Sequence, residues 1–427
     1  MVIHSESQLS QNSYDVIVIG GGPAGMFAAG FAAQQGAQVL LLEKNRRCGE
    51  KVLLTGKGRC NVTNSEPNHS RFVEHFGRNG KALLTALYAF GASDVIEFFQ
   101  QHGLELHTER GGRVFPASGG AADVQRVLDA FVKQSGVTLR TSCPVSELRC
   151  AAARIATVAV GPETFSARNI VVATGGLSYP QTGCTGDGYR WAKTLGHRLV
   201  TPEPALVPVS LREAWTGELS KFNLKNVRIT LLQGGRSLEE RFGEAFFTRN
   251  GIGGPIILDL SAGIRNALEL GPVKLLLDLK PAVDQQTFDR RLQRELAQHS
   301  NRDFRNALGG LLPADMIPVF IRLSGIDPHK KCHSVTREER QQLLQLFKGL
   351  ELHVSGCGGF DKAIVTAGGV SLADIDMRTM RSKRIENLFF AGEIIDLAGP
   401  TGGFNLQVCW STGFLAGNSA AKMGDMG

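Results

Sequence analysis

The sequence predicts an α/β fold, a doubly wound parallel sheet interrupted by an inserted domain, and three observations predict it. Residues 14–19 are a short β-branched apolar run. A Gly-rich turn and an Ala-rich helical pattern follow at once. A second apolar run then ends in an acid at Glu43. Strand, turn, helix and strand within about thirty residues is how a doubly wound sheet begins.

The elements follow in order. Residues 14–19 (YDVIVI) read as a buried parallel strand, because no polar residue alternates with the branched ones at its core. Residues 26–35 form the helix, ended by Gly36, and 38–43 (QVLLLE) the second strand. A Gly-rich basic loop, 46–64, is too polar for the core. Helical patterns come next at 81–102 and 121–134, with a tight hairpin or loop, ERGGRVFP, at 109–116. Short strands near Val145 and Val158 lead to the strand 169–173.

Beyond Gly196 the texture changes. Short β-segments with turns such as 233–236 run from Leu206 to Leu279. Amphipathic helix, broken at Pro313, Pro318 and Pro328, then runs from Asp284 to Lys348. Strand texture returns at Lys362. A chain of 427 residues exceeds one ordinary core. The predicted division is 1–195 and 361–427 for the nucleotide-type domain and 196–360 for an insert that is β-rich, then helical.

The turn Gly20-Gly21-Gly22-Pro23-Ala24-Gly25 carries the chemistry. Gly20 permits the sharp bend, Gly22 lets backbone approach a pyrophosphate, and Gly25 lets the helix pack on the strand. The helix N-terminus offers free N–H groups to the phosphates. Glu43 is placed to accept the ribose hydroxyls and disfavours a 2′-phosphate, which points to FAD or NAD. Two more Gly-rich strand ends lie far away, IVVATGG at 170–176 and LFFAGEIID at 388–396. Gly402 and Gly403 then precede a terminal helix at 404–417 whose amides suit the flavin's pyrimidine edge. Three such elements suit an extended, non-covalently held FAD. No second G-x-G-x-x-G follows a strand, so NAD(P)H is expected only as a transient donor.

The net charge is +7, and 24 Lys and Arg face 18 Asp and Glu between Tyr189 and Leu352. A basic insert suits nucleic acid or an anionic substrate; the plain alternative is a slightly basic surface. The eight cysteines hold no CxxC pair, which argues against zinc, and a chain this size needs no disulfide staples. No apolar run reaches the roughly 18 residues of a membrane span. The polar stretch 1–13 has no signal-type apolar region, so a cytoplasmic location is expected.

Several motifs together resemble one family. GKGRCNVTN (56–64), GGRVFP (111–116), ATGGLSYPQTGCTGDGY (173–189), VTAGGVSL (365–372) and AGEIIDLAGPTGGFNLQ (391–407) are similar, in order and across nearly the whole chain, to the aminoacetone-oxidase/BaiN-like flavoproteins. That family includes bacterial members associated with dihydrouridine formation in large-subunit ribosomal RNA. The resemblance implies an FAD domain with an inserted β-barrel-like and helical domain. It also implies that the loop of Gly56, Gly58, Arg59, Cys60 and Asn61 lies along the cofactor. Ala173, Thr174 and Gly175 would flank it, as would Gly392, Glu393, Gly402, Gly403, Asn405 and Leu406. Lys44, Lys51 and Val145 complete the expected contacts.

One departure stands out. Where the family shows Thr-His-x-Gly-x-Ser-Gly-Pro, this chain has Thr248-Arg249-Asn250-Gly251-Ile252-Gly253-Gly254-Pro255. Arginine cannot titrate as an acid, but it grips anions and polarises carbonyls. Cys60, beside Arg59, is either a proton donor or packing beneath the cofactor. Arg249 is a substrate-anion clamp or a surface charge. Tyr179 is a proton donor or a cover for the flavin. His329 to His333 form a phosphate-contact patch or a solvated loop. Three functions follow. The first is a reductase passing hydride from NAD(P)H through FAD to an activated C=C, with uridine in ribosomal RNA leading. The second is an oxidase of a small amine or aminoketone. The third is a flavin-carrying RNA-binding assembly factor.

Overall fold

The computed structural model describes residues 12–220 and 222–422. The signal reading of the N-terminus falls on residues 1–11, outside the described residues, apart from its last two positions. The chain forms two compact units, one reaching to Ala205 and resuming at Phe360, the other Leu206–Gly359. Each has its own apolar core. Residues 196–205, assigned to the insert from sequence, fall in the first unit because Leu199–Ala205 pairs antiparallel with Val365–Val370.

The first unit is built on one large sheet. Ser13–Ile19 lies between Val39–Leu42 and Glu163–Val172, parallel to both. Thr138–Arg140 extends one side and Leu388–Phe390 the other, again parallel. Val16, Ile17 and Val18 are fully buried, as an unbroken branched run requires when both faces of a sheet are covered. The strand order reverses at Ser13–Ile19, and ligands of such sheets bind beyond the carboxyl ends of the strands at that point.

Helix Pro23–Gln34 starts with proline in its first turn, where the missing N–H costs nothing. It packs against the terminal helix Phe404–Lys422 through small residues. A Cβ on Gly413 would come 2.5 Å from the Ala24 carbonyl oxygen, and one on Gly417 would come 2.3 Å from that of Ala28. Trp410 fills the space beside them, 4.6 Å from Phe27 between ring centres, and donates its indole N–H to Val62 O at 2.9 Å.

The second unit is a closed six-stranded barrel with helices. Asn223–Gln233 and Arg236–Thr248 form a long hairpin whose two-residue turn, Gly234-Gly235, has φ of +56° and +79°. Both turn residues therefore need the left-handed region that glycine supplies. Helix Pro255–Leu270 buries Ile256, Ile257, Leu260 and Ile264 against the barrel strands.

Several sequence expectations are corrected. The stretch 206–279 is not all short β-segments, for it holds the sixteen-residue helix Pro255–Leu270 and strands of eleven and thirteen residues. The run PIILDLSAGI is apolar enough to read as a strand, and Gly254-Pro255 reads as a turn rather than a helix start. The helix expected over 81–102 breaks at Phe90, whose ψ of +89° is non-helical, giving Leu84–Ala89 and Ala92–Gln101. By length and composition Gly77–Gln101 could cross a membrane, but it is interrupted there and half of its apolar window is buried. Pro318 does not break a helix but opens one, Ile317–Ser324. No strand passes through Val145; the hairpin strands are Glu147–Ala151 and Arg154–Val160.

Gly417→Val should lower stability by about 1–3 kcal/mol, because the added branches meet backbone rather than a movable side chain. Urea unfolding followed by tryptophan fluorescence would read this as a lower midpoint. An unchanged midpoint would show that the two helices are not held at this separation.

Candidate dinucleotide site and substrate cleft

The carboxyl ends of the parallel strands gather most of the predicted residues. Gly20 follows Ile19, Glu43 follows Leu42, Ala173 follows Val172, and Ala391-Gly392 follow Phe390. Gly20, with φ of +105°, donates its N–H to Leu42 O at 2.8 Å, and a Cβ there would stand 2.5 Å from Ala173 O. A Cβ on Gly25 would fall 1.8 Å from Gly20 O, so helix and strand touch backbone to backbone. At Gly22 a Cβ would meet nothing within 4 Å. That glycine faces open space, and a ligand backed by helix amides fits there.

Glu43 is buried and anchored. One carboxylate oxygen accepts from Gly21 N at 2.7 Å and the other from Asn45 N at 2.6 Å, leaving lone pairs on each. Gly21 was not singled out from sequence, yet a Cβ there would reach 2.5 Å from the Cys48 sulfur. Lys44 is held by Thr185 at 2.5 Å and Asp187 at 2.7 Å.

The densest polar cluster joins four distant segments. Lys51 Nζ meets Glu393 at 2.6 Å and Ser178 Oγ at 2.6 Å. The other Glu393 oxygen accepts from Ser178 Oγ at 2.7 Å and Thr366 N at 2.9 Å. Thr366 Oγ1 in turn accepts from Leu177 N at 2.8 Å and from Ser178 N at 3.1 Å. The Lys51 and Glu393 side chains are each less than a fifth exposed. Burial works to raise the Glu393 carboxyl, but the Lys51 ammonium and the hydrogen bonds hold it below the usual carboxylate range. Burial works likewise to lower Lys51, and Glu393 holds it above the usual ammonium range. Ser178 and Thr366 were quoted only inside motifs. Their part depends on two loops meeting, which no local pattern reports.

The 56–61 loop is bent by left-handed residues, Gly56 at φ +57°, Lys57 at +59° and Cys60 at +57°. The Arg59 guanidinium sits 4.1 Å over the Phe115 ring and pairs with Glu109. Cys60 is fully buried, and that burial pushes its thiol up to about 12. Asn61 Oδ1 and Thr174 Oγ1 are buried with no protein partner. Gly402 and Gly403, at φ +117° and +98°, lead into the terminal helix. A Cβ on Gly403 would lie 2.3 Å from the Thr63 carbonyl. The Asn405 side chain braces the preceding turn, its amide donating to Gly399 O and Pro400 O and its oxygen accepting from Gly399 N. Val145 packs, half-buried, against the core. Orphaned acceptors at Asn61 and Thr174, open space at Gly22 and an anchored Glu43 all fit an FAD.

Arg249 belongs to the second unit and lines an open cleft of about 590 Å³ with Glu213, Glu218 and Asn250. It is exposed, and no carboxylate stands within 4.0 Å of it among the described residues. Glu218 is committed to Arg322 at 2.7 Å. One Glu213 oxygen accepts from His353 N at 2.9 Å and lies 2.7 Å from His353 Nδ1; the other is buried without a partner. Gly251 must be glycine, because a Cβ there would stand 2.0 Å from Val209 O. At Gly253 a Cβ would press the Phe246 ring at 3.2 Å.

The chain is similar to known proteins. The profile described as HI0933-like protein Rossmann domain matches residues 14–419. The chain is 31% identical to the 3-dehydro-bile acid delta(4,6)-reductase of Clostridium scindens over 95% of its own length and 98% of that protein's. It is 29% identical to the ribosomal RNA dihydrouridine synthase of Escherichia coli, covering 93% and 96%. Among solved structures, 3-ketosteroid delta1-dehydrogenase from Sterolibacterium denitrificans shares the fold, with a TM-score of 0.57, 15% identity and coverage of 96% and 100%.

Glu393→Gln should leave Lys51 buried and unpaired, at a cost of about 3–5 kcal/mol. The folded Glu393 titrates below its ordinary 4.5, so the pair stabilises fully above about pH 4.5. That contribution is lost as pH falls through the folded value. Acid unfolding curves for parent and variant should therefore converge at low pH; a constant gap would contradict the pairing. Separately, burial pushes Cys48, Cys60 and Cys409 up to about 12, whereas Cys150 is exposed. Iodoacetamide at pH 8 should alkylate Cys150 first and spare those three until unfolding, as peptide mass mapping would read.

Proposed function

The chain belongs to the HI0933-like Rossmann family of FAD-dependent oxidoreductases, and on that premise we propose that it reduces an activated C=C, with uridine in large-subunit ribosomal RNA as the substrate. The observation that carries an anionic substrate is Arg249, a guanidinium without a carboxylate partner among the described residues, in the cleft of a basic unit. A phosphate-bearing substrate suits it, because the planar fork binds phosphate in two-pronged fashion. The relative named for dihydrouridine synthesis supports the same reading over nearly the full chain.

In this reading FAD, when bound, supplies the hydride for an electron-poor carbon. The Gly20, Gly22, Pro23, Ala24 and Gly25 turn holds its pyrophosphate, and Glu43 accepts ribose hydroxyls. Asn61 and Thr174 satisfy their unmet acceptors on its polar groups. The Lys51–Glu393 pair fixes the loops around it. Arg249 grips the substrate anion. Cys60 packs beneath the cofactor, since a thiol at about 12 gives up its proton too reluctantly to serve as the acid. NAD(P)H is the transient donor.

A second reading is reduction of a small enone bearing a carboxylate. Arg249 would serve it equally, and the relative named as a bile acid reductase supports it. Mass-spectrometric dihydrouridine content of large-subunit RNA from cells with and without the gene separates the two. Loss of the modification on deletion is expected. An unchanged level rejects the RNA reading and turns attention to carboxylated enones. On the true substrate, Arg249→Ala should lower kcat/KM by about 10–100-fold, the loss of a charged hydrogen bond of about 1.5–3 kcal/mol.

A further inference from the structure

The helical part of the second unit carries a cationic surface that the cleft does not use. Residues 299–305 and 328–334 lie side by side as a short ribbon. Asp303 bridges Lys331, Phe304 N donates to Lys330 O at 2.8 Å, Cys332 N to Arg302 O at 3.1 Å, and His333 N to Ser300 O at 3.1 Å. Phe304 and Cys332 are buried beneath it, which fixes the ribbon to the core. The side chains left outside are Arg302, Arg305, His329, Lys331 and His333, all exposed.

Charge leans positive there, Arg302, Arg305 and Lys331 facing Asp303 and the exposed Asp327 at its edge. Asp303 is the acid at the ribbon's centre, and three groups share it: Lys331 at 2.8 Å, His329 at 3.4 Å and Arg305 at 3.7 Å. Lys330 is tied to Glu339 at 2.7 Å, and Asp289 to Arg340 at 2.8 Å. Arg302 has no carboxylate within 4.0 Å among the described residues. The helix leading in, Gln285–Gln298, buries Phe288, Leu292 and Leu296. Arg290 and Arg294 are exposed on it one turn apart, Arg290 touching Thr287 Oγ1 at 3.2 Å. A merely solvated loop needs neither a backbone-locked ribbon nor guanidinium groups left without anions. Cations held in place on a rigid element lose little side-chain freedom when an anion arrives.

We propose that this ribbon and the exposed Arg290–Arg294 face form the surface on which the phosphodiester backbone of RNA docks. The proposal rests on the RNA reading above and deepens it. Phosphate binding of this kind positions a strand without reading its bases, so the surface holds the RNA while the site elsewhere selects the uridine.

The test uses the full-length flavoprotein with Arg294→Glu and Arg302→Glu combined. Neither arginine holds a carboxylate among the described residues, so flavin content and melting temperature should stay at parent values. Affinity for a large-subunit RNA fragment should fall at least tenfold at about 0.1 M salt. The slope of log K against log salt should shrink by about 0.7 for each phosphate that the variant leaves unneutralised. Arg302→Lys should keep most of the binding. If the parent binds the RNA and the double variant binds it equally, the surface is wrong and the RNA reading stands. If the parent shows no salt-dependent RNA binding, both fall. Loss of binding to whole large subunits with naked RNA binding intact would overturn the proposal in favour of a protein partner.

Discussion

The first unit depends on a charge pair it can ill do without. Lys51 and Glu393 are separated by 342 positions in sequence and meet at 2.6 Å in a site where neither is well hydrated. Burying either alone would cost several kcal/mol, so the two must arrive together or not at all. Their arrival fixes more than themselves. Ser178 and Thr366 complete the shell, and through Thr366 the loop after Glu163–Val172 is locked to Val365–Val370. Four segments are thus brought to the mouth of one sheet by a single ionic requirement.

The glycines obey a second constraint, close approach of backbone to backbone. Gly20, Gly25, Gly403, Gly413 and Gly417 each stand where a Cβ would fall within 2.5 Å of a main-chain carbonyl. Gly22 differs in kind. It faces open space, and its small size keeps that space open rather than fitting a neighbour. The distinction separates glycines that fit backbone against backbone from one that leaves space beside a helix N-terminus, although the sequence writes all of them alike.

Much of the first unit was legible because its signals are local. A branched run, a glycine turn and a following acid lie within one βαβ unit, and Gly20 to Glu43 can be read from spacing alone. The hairpin of Leu106–Glu109 and Arg113–Pro116 was likewise announced by Gly111 and Gly112, both at positive φ. What stayed hidden depends on meetings across the chain. Nothing near Thr366 or Ser178 in sequence signals that their hydroxyls face Glu393. Helix Pro255–Leu270 was hidden for another reason. Its buried residues, Ile256, Ile257, Leu260, Ser261 and Ile264, keep the 3.6-residue spacing, but the apolar opening run and the Gly254-Pro255 before it read locally as strand and turn. The Asn405 side chain is just as silent in sequence: it braces the turn before its own helix, donating to Gly399 O and Pro400 O.

The insertion itself has a simple physical licence. Ala205 and Val365 are partners across one antiparallel pair, so the first unit's chain leaves and returns at neighbouring points of a strand ladder. Within the second unit the same holds, since Val209–Leu211 pairs with Leu350–Cys357 and Gly358 N donates to Pro208 O at 2.9 Å. Each unit closes its own hydrogen-bond ladder at the crossing and keeps its own core, so neither needs the other to satisfy its backbone. Around Arg249 the backbone is held by glycines, Gly251, where a Cβ would meet Val209 O at 2.0 Å, and Gly254 at φ of +103°, so the geometry there does not hang on the arginine side chain.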